Sequence, residues 1–255
     1  MLAPDRLRAL VEAHLEELAL APELGGLAES MRYALVGGKR IRAVLCLATG
    51  EAAGAEPEEL LPAAAALELV HAFSLVHDDL PALDDDPVRR GRPSTHVEFG
   101  EAVAVIAGDA LLAEAFRLAL TYPTTAVARQ LAGATLGMIG GQYLDITGRR
   151  EDEPELHRLK TGRLFEAAVG CALQVAEVPE REQGPWRAFG TELGPLFQIV
   201  DDILDGDGYV ETHGLDGARR LADRAAERAQ ERLGEIEADT DVLSEIVGGL
   251  AARSA

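Results

Sequence analysis

The segment Leu196-Phe197-Gln198-Ile199-Val200-Asp201-Asp202-Ile203-Leu204-Asp205 decides the fold class. At about 100° per residue, Gln198, Asp201, Asp202 and Asp205 fall on one helical stripe, spaced i, i+3, i+4 and i+7. The other side chains are apolar and cover the remaining faces. A helix that is apolar around most of its circumference is enclosed by other helices, so its acidic stripe is placed at the mouth of a cavity. A solvated acidic face is the alternative. A calcium loop beginning at Asp205-Gly206-Asp207-Gly208 is excluded, because Tyr209 and Val210 stand where that loop needs an acid and a glycine.

Outward from this segment the helical period continues almost from end to end, and β-branched alternation is nearly absent. The fold class read from it is all-α. Breaks at Gly25-Gly26, Gly37-Gly38, Glu56-Pro57, 87–93, Tyr122-Pro123, 149–154, Val178-Pro179, Gly184-Pro185 and 206–214 leave about ten helices and no fixed-period repeat. Residues 63–76, 103–120 and 133–144 are rich in Ala, Gly and Leu on most faces, as enclosed bundle helices are. Residues 218–233 alternate arginine and acid and predict an exposed amphipathic helix. No linker divides the chain, so residues 1–255, 47% hydrophobic, read as a single domain. Apolar runs such as 61–67 and 102–107 are far shorter than a membrane span, and no basic-then-apolar leader opens the chain; the expectation is a soluble cytoplasmic protein that does not span a membrane. Cys46 and Cys171 sit in apolar runs and read as buried free thiols.

A formal charge of −20 excludes nucleic acid and anionic membrane surfaces as partners, since the whole-protein field repels both. Against that field stand two acidic clusters, 201–205 and Asp78-Asp79-Leu80-Pro81-Ala82-Leu83-Asp84-Asp85-Asp86, and two basic islands, Lys39-Arg40-Ile41-Arg42 and Arg89-Arg90-Gly91-Arg92. Carboxylates this dense repel one another unless a hard cation lies between them, and such oxygen-rich sites suit Mg²⁺ shared with substrate phosphates. Of 24 basic residues only Lys39 and Lys160 are lysine. A compact ammonium kept against an arginine habit suits a point contact to a phosphate oxygen. On an unbroken helix Asp78 and Asp84 diverge and Asp85 aligns better with Asp78. Pro81 distorts the chain, so Asp84 can swing back, and spacing leaves Asp84 and Asp85 both open. His71 lies two turns before Asp78 on nearly the same face, a rise of about 10.5 Å.

These motifs resemble the trans-type polyprenyl diphosphate synthases, and bacterial farnesyl diphosphate synthases most. Gly37-Gly38-Lys39-Arg40-Ile41-Arg42 is similar to the family's GGKRxR motif, and His71-Ala72-Phe73-Ser74-Leu75-Val76-His77-Asp78-Asp79-Leu80-Pro81 leads into its first aspartate motif, DDxxxxD. Arg89-Arg90-Gly91-Arg92-Pro93, Ala107-Gly108-Asp109-Ala110-Leu111-Leu112, Gly140-Gly141-Gln142-Tyr143-Leu144-Asp145, Lys160-Thr161-Gly162 and 197–205 follow in family order, so the likeness spans about residues 31 to 208.

The resemblance implies an isoprenoid synthase type helical bundle around a central apolar cavity, working as a homodimer. It implies a prenyltransferase that joins an allylic diphosphate, dimethylallyl or geranyl, head to tail with isopentenyl diphosphate through a carbocation. The cofactor implied is Mg²⁺, about three ions. Its site would be built from Asp78, Asp79, Asp84, Asp201, Asp202 and Asp205. Asp78, Asp84 and Asp201 would ligate directly, and Asp202 and Asp205 would support through water or hydrogen bonds. Isopentenyl diphosphate would be held by Lys39, Arg42, His71 and Arg90. Arg89, Lys160, Thr161 and Gln198 would face the allylic partner and carry the catalytic roles. Phe73 and Ser74, five and four places before the first motif, would set product length, and the aromatic ring implies farnesyl diphosphate, with geranylgeranyl and geranyl diphosphate as alternatives. One departure stands out: no lysine follows Lys160, where the family carries lysines in a loop after the second motif, and 205–216 is abbreviated. Arg219 or Arg220 could substitute. The gap keeps open a non-catalytic regulatory subunit of a prenyl synthase. A terpene cyclase is disfavoured because it has no use for Lys39, Arg42 and Arg90.

Overall fold

A computed structural model describes residues 1–148 and 153–254. The helices run α1 (Pro4–Glu17), α2 (Leu27–Leu35), α3 (Ile41–Ala52), α4 (Pro57–Asp78), α5 (Thr95–Phe99), α6 (Glu101–Ala119), α7 (Ala126–Ile146), α8 (Glu153–His157), α9 (Arg163–Val175), α10 (Gly184–Asp205), α11 (Tyr209–His213), α12 (Leu215–Leu233) and α13 (Asp241–Ala251). All-α is therefore the class. Thirteen α-helices among the described residues exceed the expected ten because α5, α8 and α11 are five-residue turns, too short to show a hydrophobic period. The predicted break at 149–154 falls largely outside the described residues. One two-stranded ribbon, Val88–Arg89 against Arg92–Pro93, interrupts the helices. Its turn residues Arg90 and Gly91 both have positive φ (55° and 73°), the geometry of a tight hairpin.

The long helices begin and end where their residues dictate. Helix α4 starts with Pro57 at its first turn behind a reciprocal Glu56/Glu59 capping box. Pro62 should weaken its next turn, but the Tyr122 hydroxyl accepts from the Ala63 N–H (3.0 Å) and donates to the Glu59 carbonyl (2.7 Å), bridging the ladder there. Helix α10 stops at Gly206, left-handed at φ 79°, whose N–H returns to the Asp202 carbonyl.

Helix α4 is central, packed on α3, α6 and α9, while α10 packs on α9 and α12 and α7 on α9. Leu67, Leu69, Leu111, Leu131, Phe165 and Phe189 form a fully buried core between these layers. Cys46 and Cys171 are both buried and free. Helix α12 buries only a stripe of Ala218, Ala222, Ala225, Ala229 and Leu233, so its charged faces are solvated as the sequence predicts. The apolar runs understated one helix: α4 is long and apolar enough to cross a membrane by length and composition. Within the bundle its most apolar window is 67% buried, the position of a core helix.

Candidate active site

A cavity of about 820 Å³ opens between α4, α7, α9 and α10. It draws together, from well-separated stretches of the sequence, Lys39, Arg42, His71, Phe73, Ser74, Asp78, Arg89, Arg90, Lys160, Thr161, Gln198 and Asp201.

The acidic walls are unequal. On α4, Asp78 faces the cavity and its carboxyl is raised to about 6 by burial and then by Asp84, with Lys160 opposing. The chain bends after it as Pro81 requires: the Asp84 N–H donates to the Asp78 carbonyl at 2.9 Å, which brings Asp84 back beside Asp78. Asp85, at φ 52°, donates its N–H to the Leu80 carbonyl at 3.2 Å and is exposed. Asp79 points to the other side of the helix, 2% exposed and ion-paired with Arg89, whose Nε donates to Oδ1 at 2.9 Å. Arg89 also reaches Asp86 at 2.9 Å.

On α10, Asp201 faces the cavity and its carboxyl is raised by burial and by Asp205. Asp202 is 5% exposed and committed to protein partners: Oδ1 accepts from Gln198 Nε2 at 2.7 Å and Oδ2 from the Tyr209 N–H at 3.0 Å. Gln198 Oε1 in turn accepts from the Thr161 hydroxyl at 2.8 Å. A single relay therefore runs Thr161–Gln198–Asp202, leaving the Thr161 oxygen lone pairs available to the cavity. Asp205 is exposed at the helix end.

Among the described residues no three carboxylate, histidine or cysteine groups converge closely enough to hold a metal alone. Mg²⁺ characteristically takes one or two carboxylates and completes its shell with phosphate oxygens and water. Asp78 at the end of α4 with Asp84 in the turn after it, and Asp201 with Asp205 on α10, are mutually repelling pairs, and their donor chemistry fits a cation held jointly with a diphosphate.

The basic wall is built by the Gly37-Gly38 loop and the hairpin. Arg90 donates to the carbonyls of Val36 (3.2 Å) and Gly37 (3.0 Å), and lies so close to Gly38 that a Cβ there would stand 2.9 Å from Cζ. With φ 99°, Gly38 is required on both counts. Arg42 lies over the rings of Phe165 (4.7 Å) and Phe197 (5.4 Å), with its Nε buried and unbonded. Burial lowers its pKa, Glu68 and Asp201 opposing. His71 is held well below the usual imidazole range by burial and then by Arg42, Arg90, Arg40 and Arg89, so its ring is neutral. Lys39 is exposed at the cavity rim.

Lys160 and Thr161 stand on a π-helical turn, Arg158–Gly162, a local widening common at functional sites. That turn presses its backbone on α7, where a Cβ on Gly141 would meet the Lys160 nitrogen at 2.5 Å. Lys160 Nζ donates to Asp145 at 2.6 Å.

Sequence reasoning missed Glu68 and Asp145. Glu68 is 3% exposed, lines the cavity and binds Arg40 at 3.1 Å. Its signal was available: a single acid inside the apolar run 63–76 must find a cation. Asp145 was visible in its motif but had no assigned partner.

The chain matches the profile described as Polyprenyl synthetase over residues 25–218. A farnesyl diphosphate synthase of Haemophilus influenzae is 38% identical over 272 aligned positions, covering 93% of this chain and 92% of that one. A geranylgeranyl diphosphate synthase of Cyanophora paradoxa is 42% identical over 193 positions, 69% of this chain and 64% of that one. The crystal structure of a geranyltransferase from Legionella pneumophila superposes with a TM-score of 0.87 at 32% identity, covering 98% of this chain and 96% of that one. With its cavity walled by two aspartate motifs and faced by arginines, the chain belongs to the polyprenyl synthetase family.

Proposed function

We propose that this chain condenses an allylic diphosphate with isopentenyl diphosphate, extending geranyl to farnesyl diphosphate. The observation that carries this reading is the division of the cavity: carboxylates on two walls, guanidiniums on a third, and an apolar floor closed by Phe73, which is 8% exposed.

Asp78, Asp84, Asp201 and Asp205 would hold Mg²⁺. The ions supply charge stabilisation to a departing pyrophosphate. Asp79 and Asp202 act differently in this reading: one fixes Arg89 and the other fixes Gln198. Lys39, Arg42, Arg90 and neutral His71 receive the isopentenyl diphosphate, as a cluster of fixed donors that needs no metal. Lys160 and Arg89 add positive charge where the allylic diphosphate leaves. The relayed hydroxyl of Thr161 turns oxygen lone pairs toward the cation left behind. Attack by the isopentenyl alkene on that cation forms the new carbon–carbon bond. Loss of a proton, taken up by the released pyrophosphate, then restores a double bond. Apolar walls exclude the water that would trap the cation as an alcohol.

The reading includes a homodimer. Ile106 on α6 and Leu136 on α7, outside the cavity lining, are 55% and 71% exposed, apolar side chains that a second copy would cover. Among the named relatives, both farnesyl and geranylgeranyl synthases occur, and the bulk of Phe73 favours the shorter product. The test is incubation of purified protein with Mg²⁺, dimethylallyl or geranyl diphosphate and radiolabelled isopentenyl diphosphate. Labelled farnesyl diphosphate is expected. A silent subunit gives no product, and a cyclase gives hydrocarbon without consuming isopentenyl diphosphate.

A further inference from the structure

The floor of the cavity is more than Phe73. One helical turn nearer the acidic wall, His77 also lines the cavity, and its ring meets the Phe73 ring edge to face, with centroids 5.0 Å apart at 74°. Three neighbours on α6 surround that imidazole, one of them the Asp109 carboxylate, whose Oδ1 lies 4.0 Å from Nε2. Nε2 lies 3.0 Å from the Val105 carbonyl, and the ring sits in the notch left by Gly108, where a Cβ would stand 2.2 Å from Nε2 and 2.4 Å from Cδ2. Such distances are not compatible with any side chain at 108 unless the ring moves. Ser74, the other residue expected at the floor, also lines the cavity, with its hydroxyl bonded back to the His71 carbonyl at 2.9 Å.

We propose that the Gly108 notch and His77 form a positioning element that fixes the Phe73 ring and thereby sets product length. This rests on the prenyl-elongation reading of the same cavity. The opposing contacts give the proposal its sign. A methyl at 108 drives the imidazole off α6, and the space open to it is the cavity it lines, so the cavity becomes shallower. Deleting the imidazole removes the edge contact that holds Phe73 and adds free volume beside it, so the cavity becomes deeper. In the absence of the imidazole a methyl at 108 meets neither ring atom, so its effect should vanish.

The experiment measures the ratio of C10, C15 and C20 diphosphates made by wild type, Gly108→Ala, His77→Ala and the double variant, from dimethylallyl and isopentenyl diphosphates. A product ratio is internal to the active molecules, so partial misfolding of a variant does not move it. Gly108→Ala should raise C10 relative to C15 by about tenfold, and His77→Ala should raise C20 relative to C15 by about tenfold, changes of the size that one or two methylenes cause in an apolar pocket. The double variant should match His77→Ala alone. His77→Gln, whose amide can still donate to Val105, should lie between wild type and His77→Ala. Unchanged ratios in both single variants, or an equal effect of Gly108→Ala with and without His77, would overturn the proposal. If Gly108→Ala does not fold, the Ala and Gln variants of His77 decide it by the same ratio. Failure of the wild type to elongate at all would instead overturn the prenyl-transfer reading beneath it.

Discussion

Replacing Asp202 by asparagine separates a supporting aspartate from a metal-holding one. Both carboxylate oxygens of Asp202 are used, one by Gln198 Nε2 at 2.7 Å and one by the Tyr209 N–H at 3.0 Å. An asparagine has a single acceptor oxygen. The Tyr209 backbone cannot turn, so that oxygen stays with it and the new amide group faces Gln198. Gln198 must then rotate, offering its oxygen to the introduced amide and its own amide to Thr161. The Thr161 hydroxyl oxygen becomes an acceptor, and its O–H, which keeps its hydrogen, turns toward the cavity where a cation should form. Exchanging a charged for a neutral acceptor costs about 1 kcal/mol of stability. Reversing one hydroxyl dipole at the cation costs about 1.5–3 kcal/mol of barrier, or about 10- to 150-fold in kcat. The assay is single-turnover elongation of geranyl diphosphate by Asp202→Asn over a Mg²⁺ titration. The expected result is a lower plateau rate with the half-saturating Mg²⁺ concentration unchanged within about twofold. A tenfold higher Mg²⁺ requirement, with the rate restored at saturation, would instead make Asp202 a metal ligand.

Gly38→Ala combines a φ of 99° with a Cβ 2.9 Å from Arg90 Cζ. Backbone strain of about 1–3 kcal/mol and displacement of one guanidinium should raise KM for isopentenyl diphosphate by about tenfold or more, leaving KM for the allylic substrate within about twofold. Steady-state kinetics with each substrate varied separates the two. Because the Asp78 carboxyl titrates near 6, above its unfolded value of 3.8, the half-saturating Mg²⁺ concentration should rise as pH falls below about 6. The same shift means that ionised Asp78 costs the metal-free fold stability. Asp78→Asn should therefore unfold at higher urea than wild type above pH 6 and lose that advantage as pH falls through 6 toward 3.8. Tyr122→Phe removes the hydroxyl bridging Ala63 and Glu59 beside Pro62 and should cost about 1 kcal/mol in urea unfolding without altering the product ratio.

The regular parts of the site were legible because they are local. The stripe Gln198, Asp201, Asp202, Asp205 needs only the helical period, and the structure sets it on α10. The return of Asp84 to Asp78 follows from Pro81, and Asp84 rather than Asp85 makes that return. What spacing could not resolve was which of two adjacent acids faces the cavity. Asp78 and Asp79 differ by about 100° around α4, and their fates are settled by what lies opposite, Arg89 in one case and the cavity in the other. The π-helical turn carrying Lys160 and Thr161 was likewise hidden. It depends on the close approach of α7 at Gly141, a contact between residues distant in sequence. The notch at Gly108 that seats His77 belongs to the same class, since a glycine inside a helix looks like a local weakness until its neighbour is known.

In the proposed reaction the two aspartate walls hold one diphosphate through Mg²⁺. Calorimetric binding of an unreactive geranyl thiolodiphosphate, with Mg²⁺ and with chelator, to wild type, Asp78→Asn and Asp201→Asn tests it directly. The expected result is binding that needs Mg²⁺ and weakens by about 10- to 100-fold in either variant, from opposite sides of the cavity, the loss of one charged contact of about 1.5–3 kcal/mol. Equal affinity with chelator present, or an unaffected Asp201→Asn, would contradict it.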